Sequence, residues 1–348
     1  MKRTTIGLDL AKRLFQIHSV DERTGEITRV KLRRNQVLQY FANREVSVVA
    51  MEACGSAHYW ARELGRLGHE VRLISPQFVR PFVKTNKTDA ADAEAIWEAA
   101  QRPGMRFVAP KSEEQQAVLA LHRLRAMRVR MRVRLVNQLH GVIGEFGIAL
   151  PKGWKVMLKQ AAEQLCDDEA SRLPRLVRDA LLEQVQHARN LSDQIKELER
   201  QIASWQHRED EGRRIGDIPG VGVLTATAAV AIIGQATSFK SGREFAAFLG
   251  LVPRQSGTGG RVRLLGISKR GDSYLRTLLI HGARTVLSWG RRGRRELSPW
   301  LKGLLSRRSP NVVAVALANK MARTIWALLA HKRTYRPDYI VPAARGTC

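Results

Sequence analysis

Four carboxylates, Asp9, Glu52, Asp89 and Asp92, carry the first chemical suggestion in this 348-residue chain. Asp9 falls in the strand pattern Thr4-Thr5-Ile6-Gly7-Leu8-Asp9-Leu10, where two-residue alternation sets it on the face opposite Leu8 and Leu10. Glu52 directly follows the apolar run Val46–Met51, at the carboxyl end of a strand, where ligands gather in open α/β sheets. Asp89 and Asp92 stand three residues apart at a helix start and so project from one side. Carboxylates brought this close raise one another's pKa unless a divalent cation holds them, and oxygen-only ligands suit Mg²⁺, with Mn²⁺ as a substitute. Two such ions about 4 Å apart activate a nucleophile and steady the leaving oxygen in phosphodiester cleavage. Taken singly, Asp9 also suits a strand edge or turn, and Asp89 and Asp92 also suit the positive end of a helix dipole. It is the four together that favour a metal site. Lys84 and Lys87, just before Asp89, are candidates for a phosphate contact, with a solvated loop as the other reading.

A second pattern lies far along the chain. Pro253-Arg254-Gln255-Ser256-Gly257-Thr258-Gly259-Gly260-Arg261 sets hydroxyls between glycines and arginines, and reads as a loop. A serine hydroxyl is a poor nucleophile until a base or metal activates it, and Arg254 and Arg261 could bind the phosphate it attacks. By itself the pattern favours a phosphate-binding loop over a nucleophile. Pro219-Gly220-Val221-Gly222, between two helical stretches, fits the hairpin of a helix-hairpin-helix motif. There, glycines let backbone N–H groups approach a phosphate; an ordinary helix connection is the alternative. Lys269 and Arg270 supply another basic turn, and Arg291-Arg292-Gly293-Arg294-Arg295 a basic cluster for backbone contact.

The elements that must position these residues follow from periodicity. Residues 4–10, 14–20 and 27–32 read as three strands in antiparallel succession, with a turn at Asp21–Gly25. A helix over 34–43, the strand Val46–Met51, a helix from Ala57 to Leu67 and the strand Glu70–Ile74 add parallel neighbours. Pro76 and Pro81 break the chain before a helix capped by Thr88. The order βββαβαβα is ribonuclease-H-like. Residues 113–146 form a long helix crowded with Arg123, Arg125, Arg128, Arg130, Arg132 and Arg134. A second spans 176–206, where Leu181, Ala188, Ile195 and Ile202 interleave with Leu191, Leu198 and Trp205 as a coiled-coil seam, either an intramolecular hairpin or a dimerisation arm. Helices over 223–233, 272–289 and 310–331, with a short apolar element at Phe245–Leu249, make the last part mainly helical. Four segments result: 1–105, 106–212, 213–340 and a tail, 341–348.

Composition narrows the partners. Lys and Arg number 59 against 32 Asp and Glu, a net charge of +27. Residues 213–348 hold 24 basic and 5 acidic side chains, whereas 1–105 hold 17 and 12, so the C-terminal third is the main footprint for a polyanion. No run approaches the roughly 18 apolar residues of a membrane span, and no signal peptide opens the chain, so the expected place is the cytoplasm, with no membrane partner. Cys54, Cys166 and Cys348 lack the spacing of a disulfide framework or a zinc site.

Several motifs together resemble a family. Ile6-Gly7-Leu8-Asp9, Met51-Glu52-Ala53-Cys54-Gly55, Asn86-Lys87-Thr88-Asp89-Ala90-Ala91-Asp92-Ala93, Ile218-Pro219-Gly220-Val221-Gly222 and Leu249-Gly250-Leu251-Val252-Pro253 leading to Ile267-Ser268-Lys269-Arg270-Gly271 run in the order seen in DEDD transposases of the IS110 insertion-sequence family, IS1111 group. The resemblance covers about residues 4–330. It implies a RuvC-like domain joined by a coiled coil to a C-terminal transposase domain, and it assigns Asp9, Glu52, Asp89 and Asp92 to Mg²⁺. It also implies a nucleophilic serine in the C-terminal loop that forms a phosphoserine link to DNA, a structured guide RNA from the element's non-coding end, and a homo-oligomer, dimer or tetramer, whose composite site draws its two domains from different subunits. Double-stranded DNA, the element ends and the target, is the implied substrate. Relatives commonly carry a serine where this chain has Gly257, so the nucleophile assigned is Ser256, one residue earlier, with Thr258 in reserve. Two other readings stand beside this one: a junction nuclease that hydrolyses with water, and a nucleic-acid-binding protein without catalysis.

Overall fold

The computed structural model describes residues 3–21, 23–84, 88–166, 173–259, 261–294 and 296–337, in two compact units that divide at Glu114. In the first unit, alternation over the opening residues yields β1 (Thr5–Asp9), β2 (Leu14–Val20) and β3 (Ile27–Arg33), each antiparallel to its predecessor. The Asp21 carboxylate accepts the N–H groups of Arg23 and Thr24 and so shapes the turn between β2 and β3. Next come α1 (Val37–Ala42), β4 (Val48–Glu52), α2 (Ala57–Arg66), β5 (Glu70–Ile74), α3 (Pro76–Val79) and α4 (Asp89–Ala100). β4 lies parallel to β1, and β5 parallel to β4, as the strand–helix alternation predicts. A two-residue strand, β6 (Phe107–Val108), adds an antiparallel edge that the periodicity does not reveal, giving the order β3-β2-β1-β4-β5-β6.

Both faces of this mixed sheet are covered. Ile6, Leu8, Phe15, Ile17, Val49 and Met51 pack with Phe41 of α1 and Trp60 and Leu64 of α2. The opposite face carries Ala50 and Ile74 against Ala95, Ile96 and Ala99 of α4. That helix sits unusually close to β1, because a Cβ on Gly7 would come within 2.3 Å of the Ala93 carbonyl oxygen. Trp97 locks the arrangement, its indole N–H donating to the Thr5 carbonyl at 3.1 Å.

The second unit is helical apart from one ribbon. It contains α5 (Glu113–Glu145, whose first two residues fall in the first unit), α6 (Trp154–Cys166), α7 (Arg175–Arg208), α8 (Asp210–Gly216), α9 (Val223–Ile233) and α10 (Gly242–Phe248). The ribbon β7 (Pro253–Thr258) and β8 (Arg261–Ile267) precedes α11 (Ser273–Arg291), α12 (Pro299–Leu305) and α13 (Pro310–Ala330). Leu181, Ala188, Leu191, Ile195, Leu198, Ile202 and Trp205 of α7 are all buried, while Gln184, at the remaining heptad position, is partly exposed. Of the arginines crowding α5, Arg125 pairs with Glu199 of α7 at 2.6 Å and Arg132 lies 4.1 Å over the Trp154 ring, while Arg123, Arg130 and Arg134 face solvent. A buried chain of hydrogen bonds joins α5, α9 and α11: His122 meets Tyr274 at 2.9 Å and Thr227 at 3.0 Å, and the Thr227 hydroxyl donates to the Val223 carbonyl.

Two expectations need correction. Residues 253–263 are not a loop but an antiparallel hairpin; their glycines and arginines mask an Arg-Val-Arg-Leu alternation in β8. α13 does have the length and apolar composition of a membrane span, yet it is the central helix of the second core, with Val313, Ala314, Ala318, Ala322 and Ile325 buried.

Since β1 and α4 meet at backbone distance, a single methyl group should separate them. Gly7→Ala is expected to destabilise the chain by about 1–3 kcal/mol, the usual range for overpacking. Thermal unfolding of the purified variant checks this, and an unchanged melting temperature contradicts the close seating of α4.

Candidate functional site

The register of the central strands explains how the carboxylates meet. Gly7 pairs with Ala50 and Leu8 with Met51, so Asp9 and Glu52 come next, side by side at the carboxyl ends of β1 and β4. With a period of two, Asp9 shares a face with Gly7, and Glu52 shares a face with Ala50. Both strands thus read small–apolar–acid, the small residue seating α4 and the acid standing beyond it. α4 runs antiparallel to β1, with Trp97 near Thr5 and Ala93 over Gly7, which brings its first turn toward Asp9. That turn holds Asp89 and Asp92, and the Thr88 hydroxyl caps it by accepting the Ala91 N–H at 3.3 Å.

The other three carboxylates act on Asp9. Burial, then the negative charges of Asp92, Asp89 and Glu52, push the Asp9 pKa up from 3.8 to about 6, while the Leu10 N–H pulls it down. Burial and the charges of Glu52 and Asp9 also raise the Cys54 thiol. Among the described residues no three Asp, Glu, His or Cys side chains already stand in ligating geometry. The donor set nonetheless fits a hard divalent cation, because it is all oxygen and because the repulsion that raises Asp9 is what a cation would relieve. Lys84 pairs with Glu98 at 3.0 Å and Glu94 at 3.4 Å on α4, and Lys87 lies outside the described residues.

In the second unit, Ser256 pairs across the ribbon with Arg263, and Thr258 with Arg261, while Gly257 pairs with Val262 and Gln255 with Leu264. Directly opposed residues share a face, so one face gathers Ser256, Thr258, Arg261 and Arg263 and the other Gly257, Val262, Gln255 and Leu264. The ribbon is exposed, Val262 at 68% and Leu264 at 62%. A Cβ at Gly257 would come within 2.3 Å of the Arg261 carbonyl oxygen, so a serine there would need the backbone to shift and would lie on the face opposite Ser256. Arg263 was not singled out from sequence, because a loop has no cross-strand partners; the alternation of β8 is the signal that finds it. A register irregularity between Pro253 and Gln255 interrupts the alternation at Arg254.

The base of the ribbon is clamped by glycines. Gly250 and Gly271 adopt φ of +67° and +73°, and a Cβ on either would strike backbone atoms, Arg270 for the first and Phe248 for the second. Lys269, itself at φ +54°, donates its N–H to the Gly250 carbonyl at 3.1 Å, and Arg276 bonds the carbonyls of Leu249 and Arg270. The Lys269 and Arg270 side chains remain exposed beside this clamp. Pro219-Gly220-Val221-Gly222 is the turn between α8 and α9, and Gly220, at φ +88°, meets Gly282 of α11 backbone to backbone. Its bareness serves packing, whereas Gly222, the exposed N-cap residue of α9, has open space before it.

The raised Asp9 makes a signed prediction for the metal-free protein. A carboxyl whose folded pKa lies above its unfolded value costs stability when ionised; the cost is complete above about pH 6 and absent below 3.8. Asp9→Asn should therefore stabilise the metal-free chain at pH 8 by about 1–2 kcal/mol, a figure reduced for solvent screening at a partly exposed site, and by nothing at pH 3.5. Adding Mg²⁺ or Mn²⁺ should raise the melting temperature of the parent and not of the variant. Calorimetry at the two pH values decides, and a variant less stable than the parent at pH 8 refutes the strained acidic cluster.

Comparison with known proteins places both features in one family. Residues 6–147 match the DEDD transposase family of IS110, and residues 212–298 match the family described as "Transposase IS116/IS110/IS902 family". The chain is 50% identical over 337 residues to a "Probable family 20 transposase" of Pseudomonas aeruginosa, covering 97% of this chain and 100% of that protein. It is 45% identical over 325 residues to the "Transposase for insertion sequence element IS1328" of Yersinia enterocolitica, covering 93% and 96%. To the "Transposase for insertion sequence element IS1111A" of Coxiella burnetii it is 41% identical over 333 residues, covering 95% and 91%. With the acidic cluster inside the first match and the serine ribbon inside the second, the chain belongs to the IS110/IS116/IS902 family of insertion-sequence transposases, enzymes that cleave DNA and transfer its strands.

Proposed function

We propose that this transposase breaks and rejoins DNA in the cytoplasm through a covalent link to Ser256, with the acidic cluster as the partner of that serine. The observation that carries the reading is the meeting of Asp9, Glu52, Asp89 and Asp92, seen in the raised pKa of Asp9, within a DEDD family match. These four side chains would hold Mg²⁺, or Mn²⁺ in its place. A cation held there would supply Lewis-acid chemistry and neutralise charge during phosphodiester cleavage.

The chain's own residues supply the rest. The Ser256 hydroxyl gives up its proton as its oxygen bonds phosphorus, and the leaving sugar oxygen takes up a proton as its bond to phosphorus breaks. Rejoining reverses the sequence with a new sugar hydroxyl. Arg261 and Arg263, on the Ser256 face, neutralise the phosphate under attack, and Thr258, two residues along, is the reserve nucleophile. Lys84, Lys87, Arg254, Lys269, Arg270 and the Pro219–Gly222 turn add contacts to the DNA backbone, the turn as the hairpin of a helix-hairpin-helix with Gly220 as its packing pivot and Gly222 nearest the phosphate.

The domain reading places a RuvC-like catalytic domain over 1–105, a coiled-coil assembly arm over 106–212 and a transposase domain over 213–340, followed by the 341–348 tail, which lies outside the described residues. Leu124, Met127 and Met131 are exposed at helical spacing on α5 and support assembly through that arm into a dimer or tetramer, in which different subunits complete one site. The strongly basic C-terminal part supports double-stranded DNA and a structured guide RNA as partners.

Trapping of protein–DNA adducts tests the assignment. Ser256→Ala should abolish adducts while DNA binding persists; adducts at parental yield refute Ser256, and DNA cleavage without any adduct in the parent favours hydrolysis by water. Arg263→Ala should slow adduct formation by about 10²–10³-fold, the loss expected for one charge-stabilising donor. An uncharged methylphosphonate at the scissile position should remove most of that difference, because it leaves no negative charge for Arg263 to neutralise. A defect that persists on the methylphosphonate assigns Arg263 to ribbon structure instead.

A further inference from the structure

The second unit contains a cleft of about 2360 Å³ between α10, α12, α13 and the base of the ribbon, lined on one side by Ile218 and Pro219 of the α8–α9 turn. Small-molecule sites span roughly 300–1,000 Å³, so this one is sized for a stretch of polymer. Its walls have an unusual chemistry. Gly242 of α10 seats closely on α13, where a Cβ would come to 3.0 Å from the Arg323 carbonyl oxygen, and this close seating carries Arg243 and Arg323, both exposed, into the same lining. Lys320, one helical turn before Arg323, holds its ammonium 4.7 Å from the ring centroid of Trp300, and that indole remains 40% exposed. Val312, 53% exposed, adds apolar surface on the same helix. The acidic lining residue, Glu296, is already paired with Lys302 at 2.7 Å.

Cations beside an exposed aromatic plane and an apolar wall suit one polymer in particular. A duplex hides its bases and offers the protein mainly phosphates, which leaves an exposed tryptophan without purpose. A single strand offers phosphates and unstacked base faces together, and base–aromatic stacking is tolerant of sequence. We propose that this cleft binds single-stranded nucleic acid, with Trp300 as the stacking platform and Arg243, Lys320 and Arg323 as phosphate contacts. Pro253 and Ile267, the root of the ribbon, also line the cleft, so a strand held here runs up to the element that bears Ser256. The inference deepens the proposed function, since it rests on the C-terminal part handling nucleic acid.

The test uses the full chain and fluorescent oligonucleotides of about 15 residues, oligo-dT, oligo-rU and a DNA duplex, titrated by anisotropy at two salt concentrations. Trp300→Ala should weaken single-strand binding by about 5–100-fold and Trp300→Phe by no more than about 3-fold, since a phenyl ring preserves stacking. Lys320→Glu with Arg323→Glu should weaken it by at least about 10-fold and reduce the log–log salt slope by about 1.4. Duplex affinity should change by less than about 3-fold in either case. Photocrosslinking of bromouridine-substituted strands should label Trp300 or α13, and whichever of oligo-dT and oligo-rU suffers the larger loss identifies the strand as DNA or RNA. Parental affinity for single strands in all three variants, or equal losses for duplex and single strand, would each overturn the cleft assignment. A parent that binds no oligonucleotide at all would instead overturn the nucleic-acid reading of the whole C-terminal part.

Discussion

The contact between α4 and β1 at Gly7 is the constraint on which the first unit turns. A helix packed on a sheet through ordinary side chains is held off by the thickness of those side chains. Here the helix contributes alanines and the strand a glycine, so the Ala93 carbonyl occupies the space where a side chain would be. This closeness brings the helix N-terminus within electrostatic reach of Asp9. Ala50, beside Gly7 in register, keeps the neighbouring strand equally low. Stability and chemistry are therefore coupled at one position: the seat that buries Ala95, Ile96 and Ala99 is also what aims Asp89 and Asp92.

The second unit applies the same device for a different purpose. Gly220 meets Gly282 between the α8–α9 turn and α11, and Gly250 with Arg270 and Gly271 with Phe248 bring backbone against backbone at the foot of an exposed ribbon. An isolated two-stranded ribbon is marginal in water. Fixing its root allows Ser256 and its arginines to project without a covering layer, and Arg276 reinforces the root by bonding two carbonyls that would otherwise lack partners in the turn. The buried His122–Tyr274–Thr227 chain then ties α11, which starts just after this root, to α5 and α9. Burial holds the His122 pKa down to about 4, so the imidazole stays neutral and bridges two hydroxyls without bringing a charge into the core.

What could be read from sequence was whatever has a local period or a local cap. The strands up to Ile74, the Thr88 cap and the buried seam of α7 obey rules that act over two to seven residues, and they appear where those rules put them. Asp9 and Glu52 were legible for the same reason, since each ends a strand. The ribbon was not, because glycine and arginine are loop-like in composition and the alternation is confined to β8. Gly282 was illegible for a deeper reason. A glycine within a helix costs about 1 kcal/mol and has no local explanation; its explanation is Gly220, in another element. The cleft beside α13 was likewise invisible, since α10, α12 and α13 each look like ordinary core helices until their junction is known.

The placement of the four carboxylates also determines which part of the site can yield. Asp9 and Glu52 stand on neighbouring central strands, held by ladder bonds on both sides and by the Gly7 seat, so moving either requires the sheet to move. Asp89 and Asp92 belong to the first turn of a helix, tied by the Thr88 side-chain cap at 3.3 Å and by the Asp92 N–H donating to the Thr88 carbonyl at 3.0 Å, and favoured there by the helix dipole. Deforming the first turn breaks these two bonds, about 2 kcal/mol in all, against several more for the strands. The first turn of α4 is therefore the softer of the two supports. The burial that raises Asp9 and the charge of Glu52 belong to the sheet, while the charges of Asp92 and Asp89 are carried on the helix end.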